Sequence, residues 1–146
     1  MTEYTKILVA IDISKEADLI LKKANTFAKV FNCTLSIIHV IEPLIIDNTY
    51  EAFSLASAEM EKNLVEHSKS FQAETIKRLN INAVQMITTI GSTKHEIINT
   101  AKSNSIDLII LGTHGRHGLS RLLGSTANAV LHGAPCDVLA IKIRES

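Results

Sequence analysis

Five short apolar runs set the limits on how this chain folds. They are Lys6–Asp12 (KILVAID), Cys33–Ile41 (CTLSIIHVI), Ile81–Ile90 (INAVQMITTI), Ile106–Gly112 (IDLIILG) and Cys136–Ile143 (CDVLAIKI). The first and fourth show almost no alternation of apolar with polar side chains. A strand of that kind is buried on both faces, the habit of a parallel sheet covered by helices. The segments between them read as helices. Ala17, Ile20, Leu21, Ala24, Phe27, Ala28 and Phe31 form one stripe at helical spacing, behind Ser14 as the expected N-cap. Pro43 closes the second run, and LIIDNTY reads as a connection. A long helix is predicted from about Tyr50 to Leu79, with Phe53, Ala56, Met60, Leu64 and Phe71 on its inner face. Thr93 and Glu96 predict a capping box for a short helix that carries Ile97, Ile98 and Ala101 inward. A last helix is predicted from about Ser125 to His132.

Strands that alternate with amphipathic helices imply an α/β fold with a parallel sheet. Right-handed crossovers make it a single doubly wound five-stranded sheet with helices on both faces, one domain over residues 1–146. A closed eight-fold barrel needs far more chain. Trp is absent and aromatic residues are only 4%, so the core is expected to be aliphatic. The last strand has little chain after it and should lie at a sheet edge. An apolar edge invites a second strand, so a homodimer through Asp137 to Ile143 is expected.

Charge and composition exclude several classes. Formal net charge is zero, without the basic excess of a nucleic-acid binder, so no nucleic-acid partner is expected. No apolar stretch reaches the ~20 residues that span a membrane. MTEYTK leads straight into the first strand run with no signal-peptide pattern, and a cytoplasmic location is expected. The two cysteines, Cys33 and Cys136, form no CxxC pair and read as small buried thiols.

The chemistry is concentrated in one stretch, GTHGRHGLSRLLGST, from Gly112 to Thr126. No acid occurs between Asp107 and Asp137, while Arg116, Arg121, His114, His117 and His132 lie there. Gly112, Gly115, Gly118 and Gly124 let backbone N–H groups approach an anion. GST opens a helix, whose first turn offers unpaired N–H donors and a positive dipole end, and Ser125 and Thr126 add hydroxyls. Arg116 or Arg121 would neutralise charge from the rim. A phosphate-bearing ligand fits these features; a plain chain reversal with a capped helix fits them too.

Other motifs are missing. No Lys precedes a hydroxyl as in GxxxxGK[ST], no GxGxxG follows the first strand, and no GxSxG elbow occurs. The histidines lack a neighbouring carboxylate or Cys, so no metal site is expected. In a doubly wound sheet, ligands bind outside the carboxyl ends of the strands where the strand order reverses. With the order 3-2-1-4-5, Asp12 and Gly112 would flank that crevice and Val40 would lie close by.

KILVAIDIS, LSIIHVIE, DLIILGTHGRHGLSRLLGSTANAVL and APCDVLAIKI together resemble the universal stress protein family over essentially the whole chain. The resemblance implies the order 3-2-1-4-5 and a homodimer through the last strand. It also implies a site for ATP or AMP, with Mg²⁺ bridging the phosphates. The family motif G-x2-G-x9-G-[ST] falls on Gly112, Gly115, Gly124 and Ser125. Asp12 would meet the ribose, the backbone at Val40 the adenine, and Ala10 and Ile11 would line the same pocket. Here eight residues rather than nine separate Gly115 from Gly124. That spacing resembles a branch whose members can lack the nucleotide, so a dimeric interaction module stands as the alternative. No general base is evident unless His114 faces a phosphate, and at most slow ATP hydrolysis is expected.

Overall fold

The computed structural model describes residues 4–43, 51–83, 85–113 and 124–143, with the side chains of residues 51–57 outside the description. The elements in chain order are β1 (Lys6–Ala10), α1 (Glu16–Phe31), β2 (Thr34–Ile41), α2 (Glu51–Leu79), β3 (Gln85–Ile90), α3 (Thr93–Ser103), β4 (Leu108–Gly112), α4 (Ser125–Gly133) and β5 (Asp137–Ile141). The five strands form one sheet in the order β3-β2-β1-β4-β5, every pairing parallel. This is the expected order. Some ends differ. β1 stops at Ala10 rather than Asp12, and β3 begins at Gln85 rather than Ile81. Ile81 instead follows the end of α2.

The central strands are buried on both faces, as their unbroken apolar runs require. Ile7, Val9, Leu35, Ile37, Leu108 and Ile110 face α1 and α2, where Ala17, Ile20, Leu21 and Ala24 meet them. Leu8, Ile38, Val40, Ile109 and Leu111 face α3 and α4, against Ile97, Ala101, Ala127 and Val130. Each large aliphatic side chain removed from water in these layers contributes on the order of 1.5–3 kcal/mol.

α2 departs from its expected face. Phe71 packs on the core as expected and the side chains of Phe53 and Ala56 lie outside the description, but Met60 and Leu64 are 45% and 37% exposed, and the described residues of the helix that are fully buried are Ser68, Gln72 and Thr75. A polar face is stable there because Ser68 and the Gln72 NH2 group find partners. Gln72 Nε2 donates to Thr88 Oγ1 at 2.9 Å and to the Ile87 carbonyl at 3.2 Å. Burial of paired polar groups costs far less than burial of bare ones.

The expected N-caps are also replaced. The Ser14 hydroxyl donates to Asp12 Oδ1 at 2.5 Å, and Lys15 stands at the N-cap position of α1 with no side-chain cap bond. Ser92 stands at the start of α3, again without a side-chain cap bond. Thr93 is no capping-box residue, because its hydroxyl donates to Glu42 Oε1 at 2.9 Å. The Glu42 carboxylate from the end of β2 thus supplies the negative charge that a helix N-terminus favours.

The first three helices end by one device. Asn32, Asn80 and Ser105 take the left-handed conformation, with φ of 55°, 54° and 52°. The next N–H then reaches back across the last turn. Cys33 donates to Ala28 at 2.8 Å, Ile81 to Ile76 at 2.8 Å and Ile106 to Ala101 at 2.9 Å. An apolar residue follows each time, Ile81 and Ile106 buried and Cys33 half-buried, completing the motif.

One acid ties the amino ends of β1 and β4 together. The Asp107 carboxylate accepts from the Thr5 N–H at 2.9 Å, the Thr5 hydroxyl at 2.8 Å and the Lys6 N–H at 3.1 Å. The Asp107 N–H donates to Lys6 O at 3.0 Å.

Candidate functional site: a crevice at the carboxyl ends of β1 and β4

The strand order reverses between β1 and β4. In the register, Val9 lies opposite Ile110. Continued along the chain, it sets Ile11 and Asp12 level with Gly112 and Thr113. Asp12 and the glycine stretch therefore share one edge of the sheet, where ligands of such folds bind.

The described part of the glycine stretch is held at both ends. Thr113 N–H donates to Ile141 O at 2.8 Å, and its Oγ1 accepts from Ile143 N at 3.0 Å. Gly124 N–H then donates to Thr113 O at 2.6 Å. The start of α4 is thereby fastened to the end of β4. Gly124 is the residue before α4, and Asn128 N–H donates to its carbonyl at 2.9 Å. Ser125 is exposed and Thr126 half-buried.

α4 begins with no side-chain cap and no acid in its first turn. α1 carries Glu16 and Asp18 there, and α3 carries Glu96 beside the Glu42 contact. Of these three helix starts, that of α4 alone has no acid in its first turn and no carboxylate contact among the described residues. An external anion is the natural complement.

Gly112 has a packing role as well. A Cβ at this position would lie 2.9 Å from Ile20 Cδ1 and 3.1 Å from Ile143 Cγ1. The side chains of Ile20 on α1 and Ile143 after β5 would have to move aside for any Cβ here.

The other expected site residues fall as follows. Ala10 and Asp12 are half-buried, while Ile11 and Val40 have their side chains in the two core layers. Ile11 N–H is spent on Ile38 O at 3.0 Å. Ile11 and Val40 therefore offer the crevice backbone rather than side chain. His114, Gly115 and Arg116 lie outside the described residues, as do Arg121, His117 and Gly118 of the same stretch.

A polar group that the sequence reading passed over lies beside Asp12. His39, on β2, points its Nδ1 at Ser68 Oγ, 2.7 Å away. Burial pushes its imidazole below the usual histidine range, against the pull of the nearby Asp12 carboxylate. A histidine inside the apolar run LSIIHVI was the signal for it.

Both thiols are held protonated. Burial pushes Cys33 up, helped by the charge of Asp107, and Cys136 up, helped by Asp107 and Asp137. Among the described residues, no three His, Cys, Asp or Glu side chains converge on a metal-sized site. A groove of about 410 Å³ runs along α1 between Lys22, Lys23, Thr26, Phe27, Val30 and Phe31. Its aromatic end packs on Tyr4, just ahead of β1 and so far from the crevice. Among the described residues, no helix is long and apolar enough to cross a membrane.

Residues 3–142 match the model of the universal stress protein family. Universal stress protein A homolog 2 of Coxiella burnetii is 41% identical over 149 residues and covers all of both chains. Homolog 1 of the same organism is 37% identical over 97% of this chain and 99% of its own. Among solved structures, hypothetical protein MJ0577 superposes with a TM-score of 0.82 at 27% identity, over 98% of this chain and 99% of the other. UspA of Lactobacillus plantarum superposes with 0.80 at 29% identity, over 94% and 97%. A universal stress protein solved in complex with cAMP shares the fold, with a TM-score of 0.65 at 20% identity over 95% and 97%.

Proposed function

The chain belongs to the universal stress protein family, and from that premise we propose that it is a cytoplasmic stress-response homodimer that binds an adenine nucleotide, ATP or AMP. The observation that carries the proposal is the start of α4, uncapped, free of acid in its first turn and fastened to the end of β4 across from Asp12. The first-turn N–H groups with the Ser125 and Thr126 hydroxyls would hold phosphate. Asp12 would accept from the sugar hydroxyls, and the backbone at Ala10, Ile11 and Val40 would border the base. Gly115, Arg116 and His114 belong to the same reading through the family motif. The complex of a family fold with cAMP, an adenine nucleotide, lends support.

The donor set fits a nucleotide better than a resident metal. Asp12 already accepts from Ser14, and no metal-sized cluster occurs among the described residues. Any Mg²⁺ would enter with the phosphates. The proposal is one of binding, with at most slow hydrolysis, for which His114 is the candidate acid or base.

Calorimetric titration of the purified protein with ATP and AMP tests this. Binding below millimolar Kd is expected, weakened several-fold by Ser125→Ala. Absence of heat at millimolar nucleotide would leave the dimeric module as the function. The dimer is proposed to form on β5, the outer strand, where Leu139 is 36% exposed. Leu139→Lys should convert a dimer to a monomer in light scattering; a wild-type monomer would refute this part.

A further inference from the structure

α2 meets the sheet through a chain of hydrogen bonds that has a direction. Gln72 Nε2 lies 3.2 Å from the Ile87 carbonyl, which only a donor tolerates, so the amide orientation is set. The same NH2 group donates to Thr88 Oγ1 at 2.9 Å. Thr88 and Ser68 hydroxyls are 3.0 Å apart, and Ser68 Oγ is 2.7 Å from His39 Nδ1. The chain joins α2 to both β2 and β3, and its last member is a titratable ring.

The protonation state of the ring decides whether this chain closes. With Nδ1 bare, Gln72 donates to Thr88, Thr88 to Ser68, and Ser68 to Nδ1. Every hydroxyl then donates once and accepts once, which a buried network requires. An imidazolium carries hydrogen on both nitrogens, so its Nδ1 must donate to Ser68. The Ser68 and Thr88 hydroxyls share a single contact. One of their two hydrogens is then left without an acceptor among the described residues. The unpaired Gln72 Oε1 is no remedy. Turning the amide to bring that oxygen to Thr88 would also set it against the Ile87 carbonyl.

What else holds α2 differs along its length. Phe71, Ile76 and Leu79 pack on the core cluster beneath the second half of the helix. Toward the other end Met60 and Leu64 are largely in water, and the first fully buried residue among those described is Ser68. Ser68 is thus the outermost anchor of the N-terminal half, and its partner on β2 is His39. We infer that His39 is a proton-operated latch for α2: the neutral ring accepts from Ser68 and keeps the N-terminal half of the helix seated on the sheet, and protonation of the ring releases that half while the part from Phe71 onward stays docked.

The sign follows from the surroundings of the ring. Burial lowers its hold on a proton in the docked state. Once released, the ring meets water and returns toward the ordinary histidine value. Docking is therefore at full strength above about pH 6.5 and weakens as pH falls toward the docked value, by up to about tenfold per pH unit. The charged and titratable groups that act on the ring are Asp12, from the end of β1, which favours the imidazolium, and His67, from α2, which opposes it. β3 has no charged residue along QMITTI. The latch needs no ligand in the crevice and stands apart from the nucleotide reading.

Amide hydrogen exchange of the intact chain tests this, read residue by residue by NMR and corrected for the ordinary effect of pH on exchange. Protection of residues 60–68 should fall by up to about tenfold for each pH unit below about 6.5, while that of residues 75–79 holds. His39→Asn keeps an acceptor near the Nδ1 position and does not titrate, so it should hold its neutral-pH protection on acidification. A wild-type response no larger than that of His39→Asn would overturn the inference, and so would an equal loss along the whole helix. His67→Gln serves as the control, because a response that disappears with His67 would assign the effect to the wrong histidine and sink the proposal. Should His39→Asn fail to fold, Ser68→Ala decides. Its His39 titration, followed by nitrogen-15 NMR, should move to higher pH, since the neutral ring has lost its donor; a titration that stays in place would contradict the latch.

Discussion

Replacing Gly112 by alanine separates packing from ligand binding at the crevice. The new methyl would sit 2.9 Å from Ile20 Cδ1 and 3.1 Å from Ile143 Cγ1. Both are ends or near-ends of flexible side chains, so the site yields rather than breaks. Overpacking costs roughly 1–3 kcal/mol, and loss of glycine freedom in the unfolded chain returns about 0.4–1. The net expectation is a destabilisation of about 1–2 kcal/mol, or about 2–8 °C in Tm for a chain of this size. Urea denaturation should show a lower midpoint with an unchanged slope. Ile20→Val removes the clashing methyl. In that background Gly112→Ala should cost about 1 kcal/mol less, a coupling measured by the double-mutant cycle. Strictly additive effects, or no loss in the single variant, would refute the contact as the reason for glycine here.

Other expectations follow from single contacts. Asp107→Ala removes the shared acceptor of three donors on Thr5 and Lys6 at the amino ends of β1 and β4, and urea denaturation should register a loss of about 2–3 kcal/mol. Ser105→Gly relieves a left-handed serine with φ 52°, and the same assay should register a gain of about 0.5–1 kcal/mol. Cys33 and Cys136 are held protonated by burial, so at pH 7 iodoacetamide should alkylate them more slowly in the folded than in the urea-unfolded chain; equal rates would contradict the burial.

The strands were legible because their signal is one of exclusion. Runs such as KILVAID and IDLIILG have almost no polar face, and a parallel sheet between helix layers accommodates them. The α1 stripe was equally clear, since Ala17, Ile20, Leu21, Ala24 and Ala28 all reach the core. α2 was misread because hydrophobic periodicity assumes that buried means apolar. Ser68 and Gln72 are buried because partners on β2 and β3, distant in sequence, satisfy most of their polar groups. The N-caps failed for a related reason. Ser14 and Thr93 have carboxylates to serve, Asp12 and Glu42, and the second comes from another strand. The crevice was half visible. Asp12 and the end of β4 were placed by topology, whereas the packing role of Gly112 depends on Ile20 and Ile143, which no local pattern links to it.

A ¹H–¹⁵N correlation spectrum recorded during ATP titration tests the central claim most directly, because it reports where a ligand sits as well as whether it binds. Saturable shifts are expected at Asp12, Val40, Thr113, Ser125 and Thr126, around the end of β4 and the start of α4. No shifts at millimolar ATP, or shifts gathered at Phe27, Val30 and Phe31 along the α1 groove, would contradict it.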